Sequence, residues 1–307
     1  MRSWMSRYGL VVALVVIGTA LAVGQPVFLT VPNLVNVIRQ IAINGILAVG
    51  VTYVLLTGGV DLSLGSLVAL TGVIAASFAH PGDHAVLVPV LLGVGAGAVC
   101  GGVNGLLVTK GRVAPFIVTL GMMTVARGLA LVVSGGRPVS NLSPEFTRLG
   151  GDVWGVPVPA LLLLAVALAS AVLLTRFRVG RHLYAVGGNE HAARASGIRV
   201  ERVKLLAYTL CGALAGLAGV VLAARITTGQ PNAGAGYELD AIAAVVIGGT
   251  SLSGGVGSVG GTLLGALLMG VINNGLDLLN VSSYYQAIVK GVIIVAAVWL
   301  DRRKGRA

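Results

Sequence analysis

Long runs of Leu, Val, Ala, Ile and Gly follow one another along almost the whole chain, and only short polar segments separate them. A helix needs about 20 mainly apolar residues to cross the roughly 30 Å hydrocarbon core of a bilayer. Ten runs approach this length, and the eighth is short. The sequence therefore predicts an all-α polytopic membrane protein, one transmembrane domain over residues 1–307. The predicted spans are 10–29, 34–57, 63–79, 85–109, 115–134, 158–175, 205–224, 237–249, 257–279 and 286–300.

The composition agrees with a membrane protein. Hydrophobic residues make up 56% of the chain and charged residues 10%, against about 25% charged residues in soluble domains. The 46 glycines suit helices that pack closely through small residues. The net charge of +11 sits in short clusters between apolar runs, which excludes a nucleic-acid surface. Cys100 and Cys211 lie in separate apolar runs and are interpreted as small buried hydrophobes.

The basic residues also predict the orientation. Seven of the 21 lie in one hydrophilic segment, residues 176–204, and cytoplasmic segments of membrane proteins are enriched in Lys and Arg. We therefore expect this segment, both termini and the turn at Lys110 to be cytoplasmic. Arg2 and Arg7 followed by an apolar run ending in Ala22 also resemble a signal peptide. Cleavage would leave nine spans and an outer N-terminus, so the first span is expected to be retained.

Two apolar runs are interrupted by glycine-rich sequence, at residues 57–65 and 248–255. They share five identities at an offset of 190, including Gly58 with Gly248 and Ser63 with Ser253. Such paired interruptions in two halves point to the working centre of a transporter. A second match, at Asn104 and Asn274, has an offset of 170 and relates helices of the opposite direction. Two related halves are therefore predicted, with their symmetry left open.

Enzymatic alternatives fail on the sequence. Residues 255–260 match a dinucleotide-binding fingerprint, follow the strand-like run 243–247 and precede Asp277, but the next helix would be apolar on every face. No Gly-x-x-x-x-Gly-Lys-Ser/Thr occurs, so the chain lacks a phosphate loop. The four histidines, His80, His84, His182 and His191, lack metal-binding spacing. We predict no catalytic, cofactor-binding or metal-binding residue in this chain.

Within the hydrophilic segment, a turn at residues 187–190 is followed by good helix formers that end at Gly197. Asn189 or Gly188 can cap the start of this short helix, and Glu190 suits its positive end. A short cytoplasmic helix that lies perpendicular to the spans can transmit motion from a soluble motor. The alternative is a solvated loop whose arginines set topology or contact anionic lipid. Composition alone leaves both open.

Six motifs resemble those of ribose-type permeases of bacterial binding-protein-dependent ABC importers. They are residues 55–65, 184–190, 195–198, 236–244, 248–252 and 282–286, in unbroken order within a match from about Asn33 to Asp301. The resemblance implies import of a ribose-like monosaccharide across the inner membrane by a permease dimer of identical or related copies. It also implies a separate subunit that binds ATP and Mg, and a periplasmic sugar-binding protein. Permeases for nucleosides, branched-chain amino acids and autoinducer-type sugars share the architecture and remain alternatives.

The resemblance places the ATPase-coupling function in residues 176–204, where a small helix face of Ala192, Ala193 and Ser196 is expected to pack in a groove of the ATPase. The predicted coupling residues are Asn189, Glu190, Ala192, Ala193, Arg194, Ser196 and Gly197. Polar groups in apolar spans are costly unless they line a cavity or pair. The predicted path residues on this ground are Asn44, Asp61, Ser63, Asn104, Asn273, Asn274 and Asp277.

Each path residue has a structural alternative. The asparagines can hydrogen-bond across helices, and Asp61 can cap a half-helix. On the outer side, residues 135–156 and 225–236 are predicted to receive the binding protein. An ion-coupled secondary transporter or a channel is the rival class. Arg39, Arg127 and Lys290 are charges within spans, but the sequence offers them few obvious acidic partners.

Overall fold

The computed structural model describes residues 2–304. Met1 and residues 305–307, including Arg306 of the basic tail predicted to be cytoplasmic, lie outside the described residues. The described chain is all-helical apart from one two-stranded hairpin. Its elements are α1 (Arg2–Gly24), α2 (Val31–Leu56), α3 (Leu64–Ser77), α4 (Leu87–Thr109), α5 (Pro115–Ser134), α6 (Pro144–Thr147), a 3-10 turn (Arg148–Gly150), β1 (Asp152–Val153), β2 (Val156–Pro157), α7 (Val158–Arg176), α8 (Arg178–Gly188), α9 (Glu190–Ala195), α10 (Val200–Ile226), α11 (Tyr237–Ile247), α12 (Val259–Leu278) and α13 (Ser283–Lys304).

Every predicted span coincides with a helix. Across residues 2–304, six helices are long and apolar enough to cross a membrane: α2, α4, α5, α7, α10 and α12. Three others contain shorter apolar stretches, at Gly9–Gly24, Leu64–Ser77 and Ser283–Ala296, and α11 has only 11 residues. The protein is therefore a multi-pass membrane protein, while the count of ten spans stays a prediction.

Glycines bring α4 and α10 into backbone contact at the centre of the bundle. Gly93, Gly97, Gly101 and Gly105 repeat every fourth residue along α4 and face α10. A Cβ added at Gly97 would lie 2.3 Å from the carbonyl oxygen of Gly212. Membrane helices gain no hydrophobic stabilisation from lipid-like neighbours, so this close approach supplies van der Waals contact instead.

The two ends of α2 identify opposite faces of the bundle. At its beginning, Arg39 pairs with Asp152 of the β1–β2 hairpin, and Asn36 accepts a 2.9 Å hydrogen bond from Arg225 at the end of α10. At its end, Leu56 contacts α8. Because 26 helical residues span about 39 Å, the hairpin and the α8–α9 segment lie on opposite sides.

Residues 228–236, between α10 and α11, fold into the bundle without forming a helix. Gly229 lies against Val73 near the end of α3, and Gly234 lies against Gly65 near its beginning. The segment therefore runs antiparallel to α3, with its backbone buried in protein, as irregular structure at membrane depth requires. Gly229, Pro231 and Gly234 are buried. This corrects the expectation that all of 225–236 forms an exposed docking loop.

Candidate functional site: the coupling segment and the helix breaks

The hydrophilic segment 176–204 contains two helices, α8 and α9, where the sequence suggested a turn and one short helix. The α8 helix is amphipathic, because Leu183 and Val186 are buried and Arg178 and Arg181 are exposed. The first half of the turn predicted at residues 187–190 is instead the end of α8, which extends to Gly188. Burial of one side of α8 against the bundle stabilises helical backbone through both glycines.

The predicted caps of the second helix are confirmed. The Asn189 side-chain oxygen accepts a 2.9 Å hydrogen bond from the backbone N–H of Ala192. Gly197 has a φ of +81°. Its N–H donates to the Arg194 carbonyl at 3.0 Å, and the Ile198 N–H donates to the Ala193 carbonyl at 3.0 Å. This pair of bonds is a Schellman motif, which favours glycine at the left-handed position.

The orientation of α9 differs from the expectation in one residue. Ala193 is only 4% exposed and packs with Leu183 and Val200 of the same chain. Ala192 and Ser196 are exposed and lie on one helix face, because they are four residues apart. Ala193 therefore anchors α9 to the permease, and the face free to meet a partner is formed by Ala192, Ala195 and Ser196.

Four charged residues tie α9 to the beginning of α10. Glu190 accepts from Lys204 at 2.6 Å and lies 3.4 Å from Arg194, which donates to Glu201 at 2.6 Å. The hydrogen bond from Lys204 is the main cause that holds the pKa of Glu190 below its ordinary value. The predicted Glu190–Arg194 pair is present, but it is the longest contact of the network. Each residue of that pair also has a partner on α10.

Three glycine-rich segments, residues 57–59, 187–188 and 254–255, meet at what we call the glycine junction. A Cβ added at Gly187 would lie 1.8 Å from the Leu56 carbonyl oxygen, and one at Gly254 would lie 2.9 Å from the backbone nitrogen of Gly58. The Gly255 N–H donates to the Leu56 carbonyl at 3.0 Å. The end of α8 is thus in backbone contact with both interrupted helices, immediately before α9 begins.

Each interruption also receives one tyrosine hydroxyl. Tyr208 of α10 donates to the Val60 carbonyl at 3.3 Å in the first break, and Tyr184 of α8 donates to the Gly257 carbonyl at 2.9 Å in the second. Carbonyls that have left a helix lose their intrahelical donors, and the two hydroxyls each supply a donor to one such carbonyl. Neither tyrosine was among the predicted functional residues, although Tyr184 begins one of the six family-like motifs.

Three of the predicted path residues meet at the first break. Asp61, Ser63 and Asn104 are each 0% exposed. One Asp61 oxygen accepts from the Ser63 N–H at 2.9 Å and its hydroxyl at 2.6 Å, and the Asn104 amide donates to that hydroxyl at 3.2 Å. Asp61 therefore closes a turn before α3, while Ser63 occupies the N-cap position without a side-chain capping bond.

The other predicted path residues lie apart from this cluster. Asn274 exchanges two hydrogen bonds with Asn33, at 2.8 and 3.0 Å, as its structural alternative predicted. Asp277 is exposed at the end of α12 and accepts from Gln286. Asn44 is buried in α2. Asn273 lies 3.5 Å from Asp240, which also pairs with Lys290 at 2.8 Å.

The three charged residues predicted within spans, Arg39, Arg127 and Lys290, each have a partner in the structure. Lys290 pairs with Asp240, and Arg39 pairs with Asp152. Arg127 of α5 donates to the carbonyls of Pro231 and Ala233, at 2.7 and 2.9 Å. These carbonyls belong to the unwound segment 228–236. Because the partners of Arg127 are backbone groups, the positions of acidic residues in the sequence could not predict them. Asp240 was not predicted as a buried polar residue, although it lies within the family-like motif 236–244.

The dinucleotide-type pattern at residues 255–260 has a different structure from a nucleotide site. Residues 243–247, which read as strand-like, belong to helix α11. Gly255 lies in the glycine junction, and the Ser258 hydroxyl accepts from the Gly261 N–H to cap α12. The glycines therefore allow a close backbone approach and the start of a helix. A phosphate-binding turn needs glycine for the same two reasons, so both structures produce the same sequence pattern.

Comparison with known proteins identifies the family of this chain. The family described as branched-chain amino acid transport system / permease component matches residues 33–298. The chain is 48% identical to the ribose import permease protein of Escherichia coli over 310 residues, covering 99% of this chain and 96% of that one. Identity is 49% to the Bacillus subtilis ribose import permease protein, covering 98% and 94%, and 41% to the D-allose transport system permease protein of Escherichia coli, covering 90% and 85%.

No solved structure matches the chain. The family match covers most of the chain and includes both helix breaks, the α8–α9 segment and the glycine junction. The predicted resemblance, from about Asn33 to Asp301, is confirmed over nearly this whole range. The chain belongs to the permease-component family of ABC importers, in its ribose-type branch.

Proposed function

We propose that this chain imports a ribose-class monosaccharide across the bacterial inner membrane, driven by ATP that a separate cytoplasmic subunit hydrolyses. Its near full-length similarity to ribose, allose and arabinose permeases supports this substrate class. One structural observation carries the mechanism. A capped helix on one face of the bundle is joined through two glycines to both interrupted membrane helices. Displacement of α9 can therefore act on both breaks directly.

In this proposal the chain crosses the membrane ten times, with both termini and residues 176–204 in the cytoplasm. Basic residues then concentrate on the inner side. A second permease copy or a homologue completes the conduit. ATP and Mg bind to the partner subunit, since the sequence of this chain contains no phosphate loop. The permease contributes the passage and the mechanical link.

The outer docking surface is formed by residues 135–156. Trp154 is fully exposed at the tip of the β1–β2 hairpin, and the ion pair of Asp152 with Arg39 holds the hairpin against α2. Exposed tryptophans held on rigid elements commonly anchor protein interfaces. The backbone pairing of Val139 with Gly229 connects this surface to the unwound segment 228–236. Docking of a sugar-loaded binding protein can thus reach the interior of the bundle.

The sugar passes buried acceptors in this proposal. Within the described residues, Asn44, Asp61, Asn104 and Asn273 each have one buried side-chain oxygen without a hydrogen-bond donor. Buried polar atoms are rarely left unpaired, and a sugar supplies hydroxyl donors. All four were predicted as path residues. The unwound segment held by Arg127 adds backbone groups of the kind that line substrate sites in other transporters.

Reconstitution tests the function as a whole. The permease, its ATP-binding subunit and the binding protein are placed in liposomes, and uptake of labelled ribose, allose and arabinose is measured with and without ATP. We expect ATP-dependent uptake of at least one of these sugars. Uptake that continues after the ATP-binding subunit is removed would contradict the proposal and support a secondary transporter or a channel.

A second experiment tests whether α9 contacts the ATPase. Ala192→Trp adds bulk to the exposed face, where a packed interface has little room. We expect the importer to assemble but to lose stimulation of ATP hydrolysis by the loaded binding protein. Ala185→Trp, at an exposed position on α8, is the matched control. Normal stimulation and import in the Ala192 variant would show that α9 is only a topological anchor.

A further inference from the structure

The first turn of α10 separates two clefts that differ in whether their acidic and basic groups are paired. On one side, Glu190, Arg194, Glu201 and Lys204 pair with one another in the lining of a cleft to which Arg112 also contributes. On the other side lies a cleft of about 420 Å³ between α8, the α9–α10 turn and α10. We call it the basic cleft, because its charged lining is Arg199 and Arg202, with His182 opposite on α8.

Among the described residues, the arginines of the basic cleft have no counter-ion. Within residues 2–304, neither Arg199 nor Arg202 forms an ion pair or a side-chain hydrogen bond, and both are exposed. The nearby acids are already engaged, since Glu190 binds Lys204 and Glu201 binds Arg194. Two uncompensated guanidinium groups one helical turn apart can bind an anion through several N–H donors.

Much of the remaining lining is apolar. Val179, Ile198, Val203 and Leu206 line the same cleft. Leu206 lies about 9 Å along α10 from its first residue, so the apolar part extends along a helix long enough to span the membrane. An inorganic anion has no group that would use this surface. An anionic headgroup attached to acyl chains matches both halves of the cleft.

We propose that the basic cleft binds the headgroup of an acidic phospholipid from the cytoplasmic leaflet, with its acyl chains continuing past Leu206 into the bilayer. Basic pockets between membrane helices on the cytoplasmic side are suited to such lipids. The inference rests on the orientation given under the proposed function, but it requires no transport activity. Ser196 and Gly197 of the α9 cap also line the cleft. A bound lipid would therefore contact the coupling segment beside its ATPase-facing surface.

The full-length permease in nanodiscs provides the test. Phosphatidylglycerol is titrated into phosphatidylcholine nanodiscs, and the lipid retained by the permease is quantified by native mass spectrometry. We expect one saturable phosphatidylglycerol per chain and no equivalent retention of phosphatidylcholine. An arginine close to an anionic headgroup contributes about fivefold to its binding, and more distant charges contribute less, so Arg199→Gln with Arg202→Gln should weaken retention by about 25-fold. Arg199→Lys with Arg202→Lys should retain the lipid.

Arg176→Gln with Arg178→Gln is the matched control, because it removes two exposed charges that lie outside the cleft. We expect it to change retention by less than about threefold. Equal weakening in both double variants would overturn the proposal in favour of diffuse surface charge. If the glutamine variant of the cleft fails to fold, Leu206→Trp fills the apolar half without changing the charge, and it should also reduce retention.

Two further outcomes would overturn the assignment. Displacement of the lipid by excess inorganic phosphate would identify a free-anion site. Loss of ATP-binding-subunit association in the Arg199 and Arg202 variant, with lipid retention unchanged, would identify a protein partner as the occupant. Because retention is measured without sugar or ATP, failure of the lipid proposal is distinguishable from failure of the transport proposal.

Discussion

The two helix breaks share a turn but occupy different environments. In the first, Asp61 accepts from the Ser63 N–H at 2.9 Å; in the second, the Ser251 hydroxyl accepts from the Ser253 N–H at 3.2 Å. Residues 61 and 251 are 190 apart, as are 63 and 253, so the turn supports the offset of 190 identified in the sequence. Asp61 and Ser63 are completely buried, whereas Ser253 is exposed.

Their contacts differ accordingly. The first break is enclosed by Asn104 and Tyr208 of the central α4–α10 pair. The second break has three glycines with positive φ, and it contacts α8 through Tyr184 and the glycine junction. Both breaks therefore meet α8 at the glycine junction, but only the second break also binds α8 through a side chain, Tyr184. We infer that α9 acts on both breaks through the glycine junction and that Tyr184 adds a second link to the second break.

The largest expected effect is a difference between substitutions at Gly187 and Gly188, the two glycines that end α8. Gly187→Ala would place a Cβ 1.8 Å from the Leu56 carbonyl oxygen, a backbone atom that cannot rotate away. We expect the junction to open, with a cost of about 1 to 3 kcal/mol and a loss of transport of tenfold or more. Gly188→Ala is the control, because no atom lies within 4 Å of the added Cβ. Uptake in liposomes measures both, and equal activities would show that the junction is not needed for coupling.

Removing the side-chain hydrogen-bond acceptor from each turn, Asp61 in the first break and Ser251 in the second, compares the two turns directly. Asp61→Leu leaves the buried Ser63 N–H and hydroxyl without an acceptor, at a cost of about 1 to 3 kcal/mol. We expect reduced transport in an importer that still assembles, and Asp61→Asn, which keeps an acceptor oxygen, should recover much of the activity. Ser251→Ala acts on the more exposed turn and should cost less than about 1 kcal/mol. Thermal unfolding and uptake would be measured for all three. Normal uptake by the leucine variant would remove Asp61 from the path.

The tyrosines give a smaller effect that distinguishes structure from coupling. Tyr184→Phe removes the 2.9 Å bond from α8 to the second break, and Tyr208→Phe removes the 3.3 Å bond to the first. Each should cost about 0.5 to 1.5 kcal/mol of stability, with the longer bond at the lower end. Only the Tyr184 variant should lower the number of sugars imported per ATP hydrolysed. A lower ratio in the Tyr208 variant alone would reverse the roles assigned to the two breaks.

The smallest expected effect is the pH dependence of the ion-pair network that holds α9 against α10. Because the pKa of Glu190 is lowered in the folded chain, its contribution is present above its ordinary pKa and is lost as the pH falls through the folded value. The side chain is 42% exposed, so the contribution after solvent screening is about 0.3 to 0.5 kcal/mol. Hydrogen exchange of the α9 amides in the wild type and in Glu190→Gln measures it. Equal pH dependence in the two proteins would exclude this network as the anchor.

Much of the site could be predicted because its signals are local. The caps at Asn189 and Gly197 follow from neighbouring residues and appear as predicted. Both breaks were found through their glycines, since a residue that must adopt positive φ is restricted to a few types. The orientation of Ala193 was wrong because α9 has only six residues, and small residues on two of its faces gave no preference for either.

The sequence alone therefore determined the membrane character, the apolar helices and the family, because apolar run length and ordered motifs are properties of the linear chain. Only the tertiary structure decided which residues meet. Arg127 binds carbonyls more than a hundred residues away, Lys290 binds Asp240, and Gly187 reaches the Leu56 carbonyl. These contacts depend on how the helices pack around the two breaks. Packing is set by close approach at glycines distributed through the chain, which no local pattern of residues specifies.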